Sequence, residues 1–214
     1  PAKGSSCTLA VSAKGGNNAE NHNHNDIGSY AVALGKCTMV GDQGGPFSYP
    51  GDYFSAEAPE KYKIKGSFGH PVPVVDGKTQ SSGAKASAIV LKTEFTDVQD
   101  LLSIDYTSAY STPSLDKLVR TFVYDRQGKG NFTVGDEFTA NAPIRFETAI
   151  TTQANWKIID DTHLLLTTGT EQMTVTIEAS GKVAFTSETI EVNSPAYTRI
   201  GISLKEQSKD GYIR

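Results

Sequence analysis

The chain has 214 residues, a length at which an all-β sandwich commonly forms one domain, and its hydrophobic (37%) and charged (21%) fractions are those of an ordinary globular protein. A formal net charge of −4, without any block of Lys and Arg, argues against nucleic-acid binding, which needs a basic stripe. No apolar run approaches the roughly 20 residues that cross a bilayer, so we expect no membrane span.

Apolar residues alternate with polar ones along most of the chain, which is the pattern of half-buried β-strands. The predicted strands, in chain order, are Cys7–Ser12, Ser87–Leu91, Leu101–Tyr106, Leu118–Tyr124, Phe132–Phe138, Ile144–Thr151, Leu164–Thr168, Met173–Ala179, Lys182–Thr186 and Thr198–Leu204. The apolar run Ile27–Val40 is interrupted at Gly35 as in a hairpin. Helical signals are nearly absent. We predict an all-β, two-sheet antiparallel β-sandwich, supersandwich-like, that forms a single domain over residues 1–214.

One irregular segment interrupts this pattern between Gly41 and Val75, where Gly, Pro and aromatic residues crowd together. A long irregular segment inside a compact domain is usually either functional or disordered, and the aromatic content argues against disorder. We therefore expect an ordered loop at a functional site.

Two of the four histidines stand two positions apart, in the sequence Asn21-His22-Asn23-His24-Asn25-Asp26. On a strand, residues two apart point to the same face, so His22, His24 and Asp26 are expected to converge. Imidazoles are the commonest metal ligands in proteins, although a His-x-His pair alone fits a surface pair equally well. Further ligands are available from Asp42, after the returning strand, and from His70.

Three segments resemble the heparinase II/III-like polysaccharide lyases. The first, Asn18–Tyr30, is followed by an apolar strand and by Asp42-Gln43-Gly44-Gly45; the others are Ser67–Gln80 and Arg120–Arg126. The resemblance implies the C-terminal β-sandwich domain of that family, and the N-terminal (α/α) toroid is absent from this chain. Because the first residue is Pro1 rather than Met, we expect the natural protein to continue upstream.

The resemblance also implies a metal site. The metal is expected to be zinc, or another divalent ion such as calcium, and its implied ligands are His24, Asp42 and His70. A structural role, in which the ion fixes the irregular loop, is favoured over a Lewis-acid role in catalysis, and the sequence leaves both open. Asp26 is a candidate hydrogen-bond partner for the ligating imidazoles.

In the same family, uronic-acid polysaccharides such as heparan sulfate and alginate are cleaved by β-elimination in a groove between the two domains. The resemblance implies that His22 is catalytic and that Asn21 and Tyr49 contact the sugar. It also implies a periplasmic or secreted bacterial protein that binds an acidic polysaccharide. We expect the isolated chain to have little or no lyase activity, because part of the acid and base machinery belongs to the toroid.

Two other functions remain open from the residues alone. The chain is interpreted alternatively as a noncatalytic carbohydrate-binding or structural module, or as a cupin-like oxygenase in which two histidines and one carboxylate bind iron. The cysteines, Cys7 and Cys37, are expected to be small buried residues, and a bridge between neighbouring strands is the alternative.

Overall fold

The computed structural model describes residues 8–41, 44–190 and 196–214. Within them the regular secondary structure is almost entirely β-strand, and every pairing between these strands is antiparallel. The strands are β1 Leu9–Ala13, β2 Asn17–Asn18, β3 Tyr30–Leu34, β4 Cys37–Val40, β5 Val74–Val75, β6 Gly83–Ser87, β7 Ile89–Phe95, β8 Gln99–Asp105, β9 Leu115–Asp125, β10 Asn131–Ile144, β11 Phe146–Thr152, β12 Asn155–Asp160, β13 His163–Thr168, β14 Glu171–Thr176, β15 Val183–Ile190, β16 Tyr197–Leu204 and β17 Ser208–Ile213.

Helical structure in the described ranges is limited to one α-helical turn, α1 (Ala58–Lys61), and two 3-10 turns, Ser67–Gly69 and Thr107–Ala109. The predicted near-absence of helix is confirmed. None of these described helical elements has the length and apolar character needed to cross a membrane.

Two larger sheets enclose the core together with the three-stranded sheets β1-β3-β4 and β12-β13-β14. Of the two larger sheets, one has five strands in the order β17-β10-β9-β8-β7, and the other has four strands in the order β15-β16-β11-β5. Their inward side chains form one apolar cluster, in which Leu118 and Phe122 of the first sheet share the interior with Ile150 and Ile202 of the second. Burying apolar side chains between two sheets removes them from water and stabilises the sandwich. The predicted all-β antiparallel sandwich is confirmed.

The sequence pattern located most of the longer strands but missed five. These are β2, β5, β6, β12 and β17, and each lies at the edge of its sheet. The first predicted strand begins at Leu9, and Cys7 lies outside the described residues. The predicted hairpin at Gly35 is present, because β3 pairs with β4 across this turn and Gly35 has a positive φ of 59°.

The irregular segment is ordered in its described part, residues 44–75, because it packs on a small core of its own. Tyr53 and Ile64 from the segment are buried against Ile190 and Tyr197 of the four-stranded sheet. This second core holds the segment on the end of the sandwich, beside the turn that carries His22 and His24.

Candidate functional site

The Asn-rich histidine motif forms a turn, and the prediction that it lies on a strand is wrong. His22 has a positive φ of 58°, which reverses the chain locally and is uncommon for a residue other than glycine. His22 and His24 therefore do not share a face. The exposed ring of His22 packs edge-on against Phe54, with ring centroids 5.1 Å apart, whereas His24 turns toward His70.

The two remaining loop histidines meet through their ring nitrogens. His24 Nδ1 lies 3.2 Å from His70 Nε2, and His70 is 1% exposed. Two nitrogen ligands of a tetrahedral zinc ion, each at 2.0–2.1 Å, are separated by about 3.3 Å. The contact is a hydrogen bond between the two rings when one of the two nitrogens is protonated, and its length also matches the spacing of neighbouring ligands of one divalent ion. The third predicted ligand, Asp42, lies outside the described residues, and the residues that are described contain no cluster of three or more His, Cys, Asp or Glu side chains suited to a metal.

Asp26 lies on the other side of the His70 ring. Its Oδ2 atom is 3.9 Å from His70 Nδ1, and its Oδ1 atom accepts a charge-assisted hydrogen bond from Lys14 Nζ. A carboxylate that is hydrogen-bonded to the far side of an imidazole fixes the orientation of the ring. At 3.9 Å the Asp26 carboxylate is too far from Nδ1 for such a bond, so Asp26 lies behind the His70 ring without fixing it, while Nε2 of that ring faces His24.

An open depression of about 560 Å³ lies beside His22. Asn21, His22, Phe54 and Lys65 are among its lining residues. Tyr49 lies on the outer side of Phe54, with ring centroids 5.2 Å apart, and is 57% exposed. The structure therefore brings Asn21 and His22 to one surface and connects Tyr49 to that surface through Phe54.

Neither a protein-family model nor a curated protein matches the sequence. Solved structures do match. A heparinase III with methylated lysines matches with a TM-score of 0.70 over 96% of this chain at 14% identity, and a second heparinase III crystal structure with 0.67 over 90% at 16% identity. Heparan sulfate lyase HepC from Pedobacter heparinus matches with a TM-score of 0.65 over 96% at 14% identity. The chain has the β-sandwich fold of heparinase III. It covers 31%, 29% and 32% of those three solved chains, respectively.

In this heparinase III-like sandwich, a buried arginine connects the two loops that carry His24 and His70. Alternation along β9 directs Arg120 inward between Leu118 and Phe122, where it is fully buried. Its Nε and Nη2 atoms donate to the two carboxylate oxygens of Asp136, the residue directly opposite on β10, at 2.7 and 2.6 Å. Its Nη1 atom donates to the carbonyl oxygens of Gly28 and Pro71, each at 2.7 Å.

The electrostatics of this pair keep the arginine charged. Burial by itself lowers the pKa of the Arg120 guanidinium, but the adjacent Asp136 carboxylate and its hydrogen bonds raise that pKa above its ordinary value. Tyr106 and Thr148 also donate to Asp136, each at 2.8 Å. The ion pair is therefore fully hydrogen-bonded in the interior, and Arg120 holds the carbonyl groups of both site loops.

The opposite sheet supplies a second set of contacts to the His70 loop. Arg199 of β16 donates to the carbonyl oxygen of His70 at 3.0 Å and forms an ion pair with Glu147 at 2.8 Å. The hydroxyl group of Tyr197 donates to the carbonyl oxygen of Gly69, also at 2.8 Å. His70 is therefore positioned by hydrogen bonds to its own backbone and to that of its neighbours.

The buried amide of Gln80 joins the histidine turn to the chain beyond the loop. It donates to the carbonyl oxygen of Ile27 at 2.7 Å and accepts from the amide of the same residue at 2.9 Å. It also accepts from Asn18 Nδ2 at 3.1 Å. The Gln80 side chain thus forms the two hydrogen bonds to the Ile27 backbone that a neighbouring strand would otherwise form.

Sequence reasoning did not assign these positioning residues, although one signal was available. Arg120 is at a position of the predicted strand whose side chain points toward the core. A charged residue at such a position must have a buried partner. The prediction of the strand therefore already indicated a buried ion pair. Arg199 stands similarly in β16. Lys65 lies in the irregular segment, where no periodicity indicates the direction of a side chain.

Replacing Gly69 with alanine is expected to destabilise the fold by about 1–3 kcal/mol, because the added methyl group would overlap closely packed atoms around this residue. An added Cβ atom would lie 2.3 Å from the carbonyl oxygen of Lys63 and 2.9 Å from the hydroxyl of Tyr197. Gly51→Ala in the same segment is the matched control, since its Cβ atom would have no neighbour within 4 Å. Urea denaturation measures both variants, and equal midpoints would contradict the close packing before His70.

Proposed function

We propose that this chain is the β-sandwich part of a polysaccharide lyase that cleaves uronic-acid-containing polysaccharides by β-elimination. In this proposal the sandwich forms one wall of the active site and supplies His22 as a catalytic residue, and a helical toroid in the same full-length protein forms the other wall. The observation that carries the proposal is the exposed imidazole of His22, which faces an open depression on a fold shared with heparinase III.

The chemistry accounts for the residue types at this surface. Abstraction of the proton α to a uronate carboxylate requires neutralisation of that carboxylate, a base for the C5 proton and an acid for the departing glycosidic oxygen. Imidazole is the side chain that enzymes use most often as a general acid or base, so His22 suits one of the proton-transfer steps. Asn21, on the same turn, and Tyr49, beyond Phe54, are proposed to contact the sugar.

The metal is proposed to be zinc or another divalent ion held by His24, His70 and Asp42, with a structural role. Such an ion would fix the irregular segment against the histidine turn, and in a Lewis-acid role it would neutralise the uronate carboxylate. The facing nitrogens of His24 and His70 support this assignment. Location in the periplasm or outside a bacterial cell is proposed with the function.

The test is an elimination assay on the full-length protein that contains this chain. Heparan sulfate and alginate are the substrates, and the ultraviolet absorbance of the unsaturated product measures turnover. His22→Ala is expected to lower kcat/KM by at least about 100-fold, because loss of a proton-transfer group typically has an effect of this size. The matched control is His163→Ala, which removes a surface imidazole paired with Asp160.

The outcomes separate the candidate functions. Unchanged elimination in His22→Ala would remove the catalytic role of this residue. Binding of polysaccharide without elimination in the full-length protein would favour a noncatalytic carbohydrate-binding module. The isolated 214-residue chain is expected to give little or no product, and robust turnover by it would contradict a shared active site.

A further inference from the structure

A buried lysine forms part of the wall of the depression beside His22. Lys65 is only 6% exposed, and its Nζ atom donates to the carbonyl oxygen of Tyr53 at 2.7 Å. Lysine is rarely so buried without a carboxylate partner, and none of the ion pairs found among the described residues includes Lys65. An ammonium group has three donors, so donors remain for a ligand.

Two buried asparagines of the same depression present acceptors. The Nδ2 atom of Asn18 donates to Ser81 O at 2.9 Å, and that of Asn25 donates to Ser82 Oγ at 2.9 Å. The Oδ1 atoms of both asparagines are buried and have no hydrogen-bond partner within the described part of the chain. Buried acceptors are nearly always hydrogen-bonded in folded proteins. Both asparagines line the depression, so a small shift of its wall would let the hydroxyl groups of a bound molecule supply the missing donors.

The cation and the catalytic imidazole share one aromatic neighbour. Lys65 Nζ lies 5.3 Å from the centroid of the Phe54 ring, and the ring of His22 lies 5.1 Å from it. Phe54 is 53% exposed and lines the depression, so it offers a flat apolar surface to the face of a sugar ring. A sugar ring stacked on Phe54 would therefore lie close to both the Lys65 ammonium and the His22 imidazole.

We propose that Lys65, Asn18 and Asn25 form a subsite for a uronic-acid sugar, in which the carboxylate pairs with the Lys65 ammonium and hydroxyl groups donate to the two asparagine oxygens. The inference rests on the proposed function and deepens it, because it names the group in this chain that neutralises the carboxylate next to the carbon that loses its proton. Burial lowers the pKa of Lys65, and a bound carboxylate would raise that pKa again.

The test is a nuclear magnetic resonance titration of this chain with sodium glucuronate. Glucuronate is expected to shift the Lys65 ε-methylene and His22 ring resonances and to raise the pKa of Lys65. Methyl glucoside, the neutral control, and sodium sulfate, which lacks hydroxyl donors, are both expected to bind at least about 10-fold more weakly than glucuronate. Lys65→Met is expected to weaken glucuronate binding by the same factor, whereas Lys63→Met, which removes an exposed lysine paired with Glu188, should not.

Each outcome decides the inference. Equal glucuronate affinity in the wild type and Lys65→Met, or sulfate affinity equal to that of glucuronate, would overturn the sugar subsite. If Lys65→Met does not fold, the Lys65 resonance of the wild-type chain decides, and an unchanged resonance at saturating glucuronate overturns the subsite as well. The proposed function fails separately: elimination by the full-length protein that requires His22 but not Lys65 would remove this inference alone.

Discussion

Replacing Arg120 with methionine is expected to lower the free energy of unfolding by about 3–5 kcal/mol, because the variant leaves the Asp136 carboxylate buried without its cation. Asp136 is 1% exposed, so water cannot replace the guanidinium. The variant also leaves the carbonyl groups of Gly28 and Pro71 without their donor. Urea denaturation of the purified chain measures the change, since the unfolding midpoint falls with the free energy.

A partly exposed ion pair on the same sheet provides the control. Arg126 pairs with Asp100, and its side chain retains 18% of its exposure, so Arg126→Met is expected to cost no more than about 1 kcal/mol. Equal losses of unfolding free energy in Arg120→Met and Arg126→Met would show that the buried ion pair does not hold the two site loops together. A loss in Arg120→Met accompanied by displaced His24 and His70 resonances would support this role of the pair.

Zinc is expected to raise the thermal stability of the chain through the pair formed by His24 and His70. An ion that binds only the folded state at 100 times its dissociation constant stabilises by about 2.7 kcal/mol, which corresponds to an increase in Tm of about 5–10 °C for a chain of this size. His24→Ala and His70→Ala are expected to abolish the zinc-dependent increase, and Asp42→Ala is expected to do the same. Differential scanning calorimetry with zinc and then with a chelator gives the measurement.

His163→Ala is the control for this metal site, because its imidazole belongs to a surface pair with Asp160 and should leave the zinc effect unchanged. A zinc-dependent increase in Tm that persists in His24→Ala would contradict the site. Metal analysis of the purified protein separates the alternatives: zinc agrees with the proposed structural ion, whereas iron together with oxygen consumption would favour the cupin-like oxygenase.

Strands whose sequence alternates between apolar and polar residues were predictable, and short or polar strands at sheet edges were not. In β9, Leu118 and Phe122 face the core while their neighbours are less buried, so alternation identifies the strand. β12 is exposed at five of its six positions, and β17 carries the polar sequence Ser208-Lys209-Asp210-Gly211. A strand whose apolar residues do not alternate with polar ones has no hydrophobic period to detect.

The candidate site was predictable only where the family resemblance named its residues. His24 and His70 are 46 positions apart and lie in irregular backbone, so no local periodicity brings them together. Strand parity predicted a shared direction for His22 and His24, but a positive φ at His22 separates them. No pattern in the sequence indicated that Lys65 is buried, because its burial depends on how the irregular segment folds back on its own residue Tyr53.

Guanidinium groups from both layers of the sandwich donate hydrogen bonds to the backbone from His70 to Val72. Arg120 of the five-stranded sheet reaches Pro71, and Arg199 of the four-stranded sheet reaches His70 and Val72. A change in the separation of the layers must therefore move the imidazole that faces His24. If His70 binds the proposed metal ion, a cavity-forming substitution in the interior, far from the histidines, is expected to weaken zinc retention.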